Sequence, residues 1–219
     1  VRVDEMLRQS HKLTQLHHED GHNGVDGYLI RSLYFDTEYD GDFFDKESGL
    51  EERRKLRLRP YDPQGEYAIL EMKQKEGERQ RKRPLRLGRE DAEHLACGDY
   101  SPLLRCGEDF ALECYALMRS RCYRPRAVVA YRRRAFVARE NNIRITFDHQ
   151  IDATESCFDL FDPGLLMNPV LDRSMAVLEV KYNGFLLSYI RQMLNCIDKS
   201  ELSVSKYAMA RHLSYHPNL

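Results

Sequence analysis

The chain has 219 residues, 42% of them hydrophobic and 32% charged, with a formal net charge of −1. That length and composition exclude a disordered or fibrous chain and fit one soluble domain, residues 1–219, around a single core. The balanced charge excludes a globally basic nucleic-acid binder, and no apolar run approaches the ~20 residues needed to cross a bilayer.

Charge is nevertheless sorted along the chain. Residues 36–52 hold eight Asp or Glu against one Lys, and residues 53–86 hold twelve Lys or Arg against five Asp or Glu. Such segregation is expected where one surface must attract an anion. The six cysteines, Cys97, Cys106, Cys114, Cys122, Cys157 and Cys196, form no C-x-x-C pair, which predicts reduced thiols and a cytoplasmic location. The sequence opens at Val1 with neither an initiator Met nor a signal-like apolar run.

In chain order, the spacing of Met6, Leu7, Leu13 and Leu16 predicts a helix over residues 4–16 with Asp4 as its N-cap. HHEDGHNGVDG then reads as a solvated loop, because His17, His18 and His22 lack carboxylate or cysteine partners at metal-site spacing. The run YLIRSLYF (28–35) reads as a strand and the acidic segment after it as a loop. Residues 52–61 form a second strand, ended by the Asp62-Pro63-Gln64-Gly65 turn. EYAILEMKQK (66–75), a turn at Glu76-Gly77 and residues 79–87 complete a meander, since short turns favour antiparallel neighbours. Helices are predicted over 89–96 and 102–121. Strands follow at 127–138, 143–148 and 176–182, then helices at 186–197 and 205–213. The expected fold class is α+β: an antiparallel sheet or barrel decorated with helices.

Strand side chains alternate between faces. In KLRLRPY (55–61) and its flank, Arg53, Lys55, Arg57 and Arg59 share one face while Leu56, Leu58 and Pro60 share the other. Glu71, Lys73 and Lys75 oppose Leu70 and Met72, and Arg79, Arg81 and Arg83 share a side. Later, Tyr131 aligns with Arg133, Arg144 with Thr146 and Asp148, and Glu179 with Lys181. One such face would be the ordinary wet side of a sheet. Repeated cationic faces with single glutamates repel themselves and call for an anion; in a closed barrel they would line a basic tunnel. Arginine forks suit phosphate oxygens, and a lone glutamate can share a hard divalent metal with them. The combination predicts a metal-bound polyphosphate.

Seven ordered motifs, RSLYFDT (31–37), KLRLRPY (55–61), LEMKQK (70–75), YRRRAF (131–136), RITFD (144–148), LEVKY (178–182) and SKYAMA (205–210), resemble the VTC domain of polyphosphate polymerases, within the triphosphate tunnel superfamily. The resemblance implies an antiparallel tunnel barrel in which ATP, with Mn²⁺ or Mg²⁺, donates its γ-phosphate to a growing inorganic polyphosphate. It implies that Arg57 and Arg59 hold the triphosphate, with Lys73 on the next strand and Arg81, together with Arg83, on the fourth. Tyr131 and Arg133 match the family's Tyr-x-Arg, Arg144 its next arginine, Glu179 its metal-binding glutamate, and Ser205 with Lys206 its Ser-Lys pair. Arg57, Arg59, Lys73, Arg133 and Lys206 would carry the transfer, while Lys55 and Lys181 would join the substrate-binding set.

Two departures accompany the match. The family's first strand should precede the first helix, yet this sequence starts at the helix, so the domain is expected to lack it. Ser203 also stands where a further lysine is expected. A triphosphatase that admits water, or a non-catalytic polyphosphate-binding module, are the rival readings. A membrane partner on another chain is compatible with the resemblance. RNA is not expected, because no aromatic stacking platform accompanies the basic faces.

Overall fold

The structure, a computed structural model, describes residues 1–13, 17–18, 27–199 and 203–215. Its elements in chain order are α1 (Val3–Leu13), β1 (His17–His18), β2 (Tyr28–Asp36), α2 (Gly41–Glu47), β3 (Arg53–Pro60), β4 (Tyr67–Glu76) and β5 (Arg79–Gly88). Then come α3 (Arg89–Ala96), a 3₁₀ turn (Ser101–Arg105), α4 (Asp109–Ser120), β6 (Arg124–Ala138) and β7 (Ile143–Thr154). The chain continues through β8 (Asn168–Pro169), β9 (Ala176–Lys181), α5 (Ser188–Asn195) and α6 (Lys206–Tyr215). The class is α+β with antiparallel strand pairing.

The chain divides into two compact units. One comprises Val1–Ile30, Ala130–Asp152 and Pro169–Ser205; the other comprises Arg31–Val129, Ala153–Asn168 and Lys206–Leu219. Strands β2 and β6 each contribute residues to both. The first unit carries the order β2-β6-β7-β8, with β1 on β6 and β9 on β7, and the second the order β5-β4-β3-β2-β6. Neither order closes on itself, so the closed barrel implied by the resemblance is not shown.

In the second unit the even-numbered side chains of β3 and β4 drive assembly. Leu56, Leu58, Leu70 and Met72 join Leu33 and Phe35 of β2 and Leu85 and Leu87 of β5 in one core, covered by Ala92 and Leu95 of α3 and Ala111, Cys114 and Met118 of α4. Leu56, Leu58 and Leu70 are 0% exposed, and burying such a side chain contributes roughly 1.5–3 kcal/mol. The first unit repeats the plan: Ile143, Ile145 and Phe147 of β7 pack with Phe136 of β6, under Met6 and Leu13 of α1 and Ile190 and Leu194 of α5. In both units the apolar face of the strands turns toward helices.

Several boundaries differ from the sequence expectations. The first helix ends at Leu13; residues 14–16 and His22 lie outside the described residues. His17–His18 is a short strand paired with Val137 and Phe136 rather than loop. The acidic segment expected to be loop contains α2, whose first-turn amides are capped from a distance: Asp36 Oδ1 accepts from Asp42 N and Oδ2 from Phe43 N, both at 2.9 Å. The helix expected over 102–121 is broken at Gly107, which takes φ +70°, a conformation that glycine adopts without a Cβ clash. No helix among the described residues is long and apolar enough to cross a membrane.

Candidate functional site

The register of β3, β4 and β5 assembles a cationic face in the second unit. Lys55 stands opposite Lys73, Arg57 opposite Glu71 and Arg53 opposite Lys75; across the next pair Lys73 stands opposite Lys82. On the other flank Tyr34 stands opposite Arg57, and Arg59 Nε donates to Ser32 Oγ at 3.0 Å. Opposed residues of an antiparallel pair share a face, so these side chains form one field.

Glu71 is the carboxylate of that field. It is 3% exposed, accepts from Arg57 Nε at 2.6 Å and is paired with Lys82. Burial opposes its ionisation, but Arg57, Lys82 and Arg59 outweigh burial and hold its carboxyl below the ordinary value. Arg53, Lys55, Arg57, Arg59, Lys73, Lys75 and Lys82 share its face, so among the described residues there the cations outnumber the carboxylate. The surplus registers on Lys55, whose pKa is lowered first by burial and then by repulsion from Arg57, Lys73 and Lys206. Lys206, the first residue of α6, therefore belongs to the same field.

Arg81 and Arg83 lie apart from these side chains. Arg83 stands opposite Met72 and Arg81 opposite Gln74, on the core-facing side of the sheet. Arg83 forks onto Glu113 of α4, donates to Gln74 Oε1 at 3.1 Å and lies 4.5 Å from the Phe110 ring centroid. The fourth strand's cation on the site face is Lys82, which sequence reasoning missed. The signal was present: Leu85 and Leu87 have the same parity as Arg79, Arg81 and Arg83, which assigns that parity to the core.

Behind the field, Asp36 is 0% exposed and accepts from Tyr207 Oη at 2.8 Å and from Thr37 N at 2.7 Å. Tyr207 in turn stacks on Tyr34, with centroids 5.2 Å apart. Asp36 thus ties β2 to both α2 and α6, which fixes the start of the helix that carries Lys206. Burial raises the Asp36 pKa against these hydrogen bonds. Burial together with the neighbouring Asp36 charge pushes Asp42 up to about 7, opposed by the bond from Tyr123.

The first unit has its own polar face. Arg133 grips Asp148 with both branches of its fork, Nε to Oδ1 at 2.6 Å and Nη2 to Oδ2 at 2.7 Å. Asp148 is 0% and Arg133 8% exposed. Tyr131 lies beside this pair, its ring centroid 5.4 Å from the guanidinium carbon. Arg144 stands opposite Lys181 and Thr146 opposite Glu179. Glu179 Oε1 sits 3.2 Å from Lys181 Nζ, and both side chains are about half exposed. Ser205, buried at 8%, directly precedes α6.

No group of three or more His, Cys, Asp or Glu is placed to hold a metal among the described residues. The chemistry of the donor set still fits a divalent ion shared with phosphate. Glu179 offers an accessible carboxylate, and the opposed Thr146 Oγ1 is buried without a hydrogen-bond partner. A hard cation takes one or two protein oxygens and completes its shell with water and phosphate oxygens.

A search for curated relatives of the sequence returned no match. Among solved structures the fold is similar to a crystal structure from Bacillus halodurans, of a protein provisionally described as an adenylate cyclase. The TM-score is 0.53 at 13% identity, covering 94% of this chain and 89% of the other, which is a likeness of fold. The family model of the VTC domain matches residues 1–215. With that match spanning nearly the whole sequence, the chain belongs to the VTC domain family.

Proposed function

We propose that this chain synthesises inorganic polyphosphate, transferring the γ-phosphate of ATP to the end of a growing chain. The observation that carries the reading is the cationic face of the second unit, where Arg53, Lys55, Arg57, Arg59, Lys73, Lys75 and Lys82 gather around Glu71. A cation-rich row of this kind along three strands suits a linear polyanion rather than a single phosphate. Membership of the VTC family supports a triphosphate- or polyphosphate-related phosphoryl transfer.

Phosphoryl transfer asks the protein for positioning and charge neutralisation rather than covalent chemistry. Arg57 and Arg59 would hold phosphate oxygens with their forks, while Lys55, Lys73, Lys82 and Lys206 add point charges. Within the first unit, Arg144 and Lys181 are the cations and Tyr131 and Ser205 the hydroxyl donors proposed to bind phosphate oxygens. Arg133 is already committed to Asp148, so its contribution would be through the free edge of its fork. Glu179, with Thr146 opposite, would hold Mn²⁺ or Mg²⁺, which would supply positive charge to offset charge developing in transfer. The attacking terminal phosphate is already anionic, so no general base is required.

The test is to incubate the full-length protein with ATP and Mn²⁺ and resolve the products on a gel. A ladder of long chains that is lost in Glu179→Gln is expected. Orthophosphate alone would indicate a triphosphatase, and binding without turnover would indicate a polyphosphate-binding module; either overturns the polymerase.

A further inference from the structure

Among the described residues, the Tyr34 hydroxyl stands beside the cations of the site face, and the roles above leave it without a task. It is 3% exposed and stands opposite Arg57, whose side chain hydrogen-bonds its hydroxyl. Lys55 Nζ lies 5.9 Å from its ring centroid. Its other face stacks on Tyr207, which is pinned by Asp36, so the ring has little freedom to turn away. The ring is locked and its oxygen points into the charge.

Resting on the reading of this face as a polyphosphate site, we infer that Tyr34 is a positioning residue that donates a hydrogen bond to the bound anion. Its hydroxyl accepts from Arg57 and donates its O–H to a phosphate oxygen while keeping the proton, and in the empty site the same oxygen serves, when ionised, as a counter-anion of the cations.

The cations that act on its charge, Lys55, Arg57 and Arg59, stand on the adjacent strand β3, and Tyr207 of α6 stacks on its ring. Glu71 and Lys73 of β4 and Lys82 of β5 continue the same face beyond β3, and Lys206 of α6 acts on Lys55. Burial opposes ionisation of the phenol, but Arg57, Lys55 and Arg59 outweigh burial and pull it down to about 8. A hydroxyl can accept one hydrogen bond and donate another; a phenolate can only accept, and would repel a phosphate oxygen. Anion binding therefore selects the protonated form. Linkage gives the sign: affinity is steady below the ionisation of Tyr34 in the empty protein. It falls above it, approaching tenfold per pH unit, because each binding event must then take up a proton.

The experiment measures inorganic tripolyphosphate binding by calorimetry at fixed ionic strength, from about pH 7 to about pH 9.5, for the wild type and Tyr34→Phe. The probe and the lysines titrate in both proteins, so the ratio of the two affinities isolates Tyr34. The expected ratio favours the wild type at neutral pH and falls through unity as pH rises. A parallel ultraviolet titration should show a phenolate forming near about pH 8 in the wild type, absent from Tyr34→Phe and displaced upward by saturating tripolyphosphate. Parallel pH profiles in two proteins that both bind, or a wild type without this early phenolate, would overturn the role of Tyr34 while leaving the site intact. Failure of the wild type to bind at any pH would overturn the site and this role with it.

Discussion

Glu71 and Asp148 show at the residue scale how similar ion pairs can do different work. Glu71 is shared between Arg57 and Lys82 inside a surplus of cations, so it spaces charges that would otherwise repel. Asp148 is fully buried and gripped by both branches of the Arg133 fork. Arg133→Ala would take a two-pronged ion pair from a buried carboxylate, at a cost of roughly 3–5 kcal/mol. Chemical denaturation should show that loss, with part of it recovered in Arg133→Ala/Asp148→Ala; an unchanged midpoint in the single variant would contradict a structural role for the pair. Lys82 and Arg81 offer the matching contrast in binding. Lys82→Ala should weaken tripolyphosphate affinity several-fold, whereas Arg81→Ala, on the opposite face, should leave it within about twofold, as expected for surface changes of ±0.5 kcal/mol.

At the element scale, α2 is the part of the fold that pattern reading could not reach. Its seven residues, GDFFDKE, are too few to display a helical period, and their acidic composition resembles a loop. Its stability comes from Asp36, whose carboxylate caps it from the end of β2, and from the Phe43 and Tyr215 rings stacked at 5.4 Å; the second partner is distant in sequence. The cost of this arrangement is a pair of buried acids. Asp42 has a folded-state pKa of about 7, far above the ~3.9 of an unfolded aspartate. Between those values the folded state binds more protons than the unfolded one, so the stability is full below the unfolded value and is lost as pH rises through about 7. Asp42→Asn keeps the acceptor for Tyr123 Oη, which bonds Asp42 Oδ2 at 2.7 Å. Relative to the wild type, it should gain a few degrees of Tm at about pH 8 and nothing at about pH 4. A gain that is equal at both pH values would contradict the titration. Strand β5 teaches the converse lesson. RQRKRPLRLG puts cations on both faces, and only the parity shared by Leu85 and Leu87 reveals which cations join the core side.

At the scale of the whole chain, the two units share a plan: strands with an apolar face under helices and a polar face rich in cations. That much was legible, because alternation in β3, β4, β7 and β9 separates the two faces without knowledge of partners. The meander, the helix at residues 89–96 and the cationic identity of Lys55, Arg57, Arg59 and Lys73 followed from it. Register was not legible, and register is what sets Lys82 beside Lys73 and Tyr34 beside Arg57. The left-handed Gly107 and the capping of α2 also depend on backbone geometry and long-range contacts that periodicity does not encode.

The measurement that bears most directly on the central claim is tripolyphosphate binding to the full-length protein across a salt series, for the wild type, Arg57→Ala and Arg81→Ala. Expected is binding that weakens as salt rises, because exposed and half-buried cations are screened, with affinity reduced at least about tenfold in Arg57→Ala, the loss of a charged hydrogen bond, and preserved in Arg81→Ala. Binding indifferent to Arg57, or lost equally in Arg81→Ala, would contradict the assignment of the β3–β4–β5 face as the polyphosphate site.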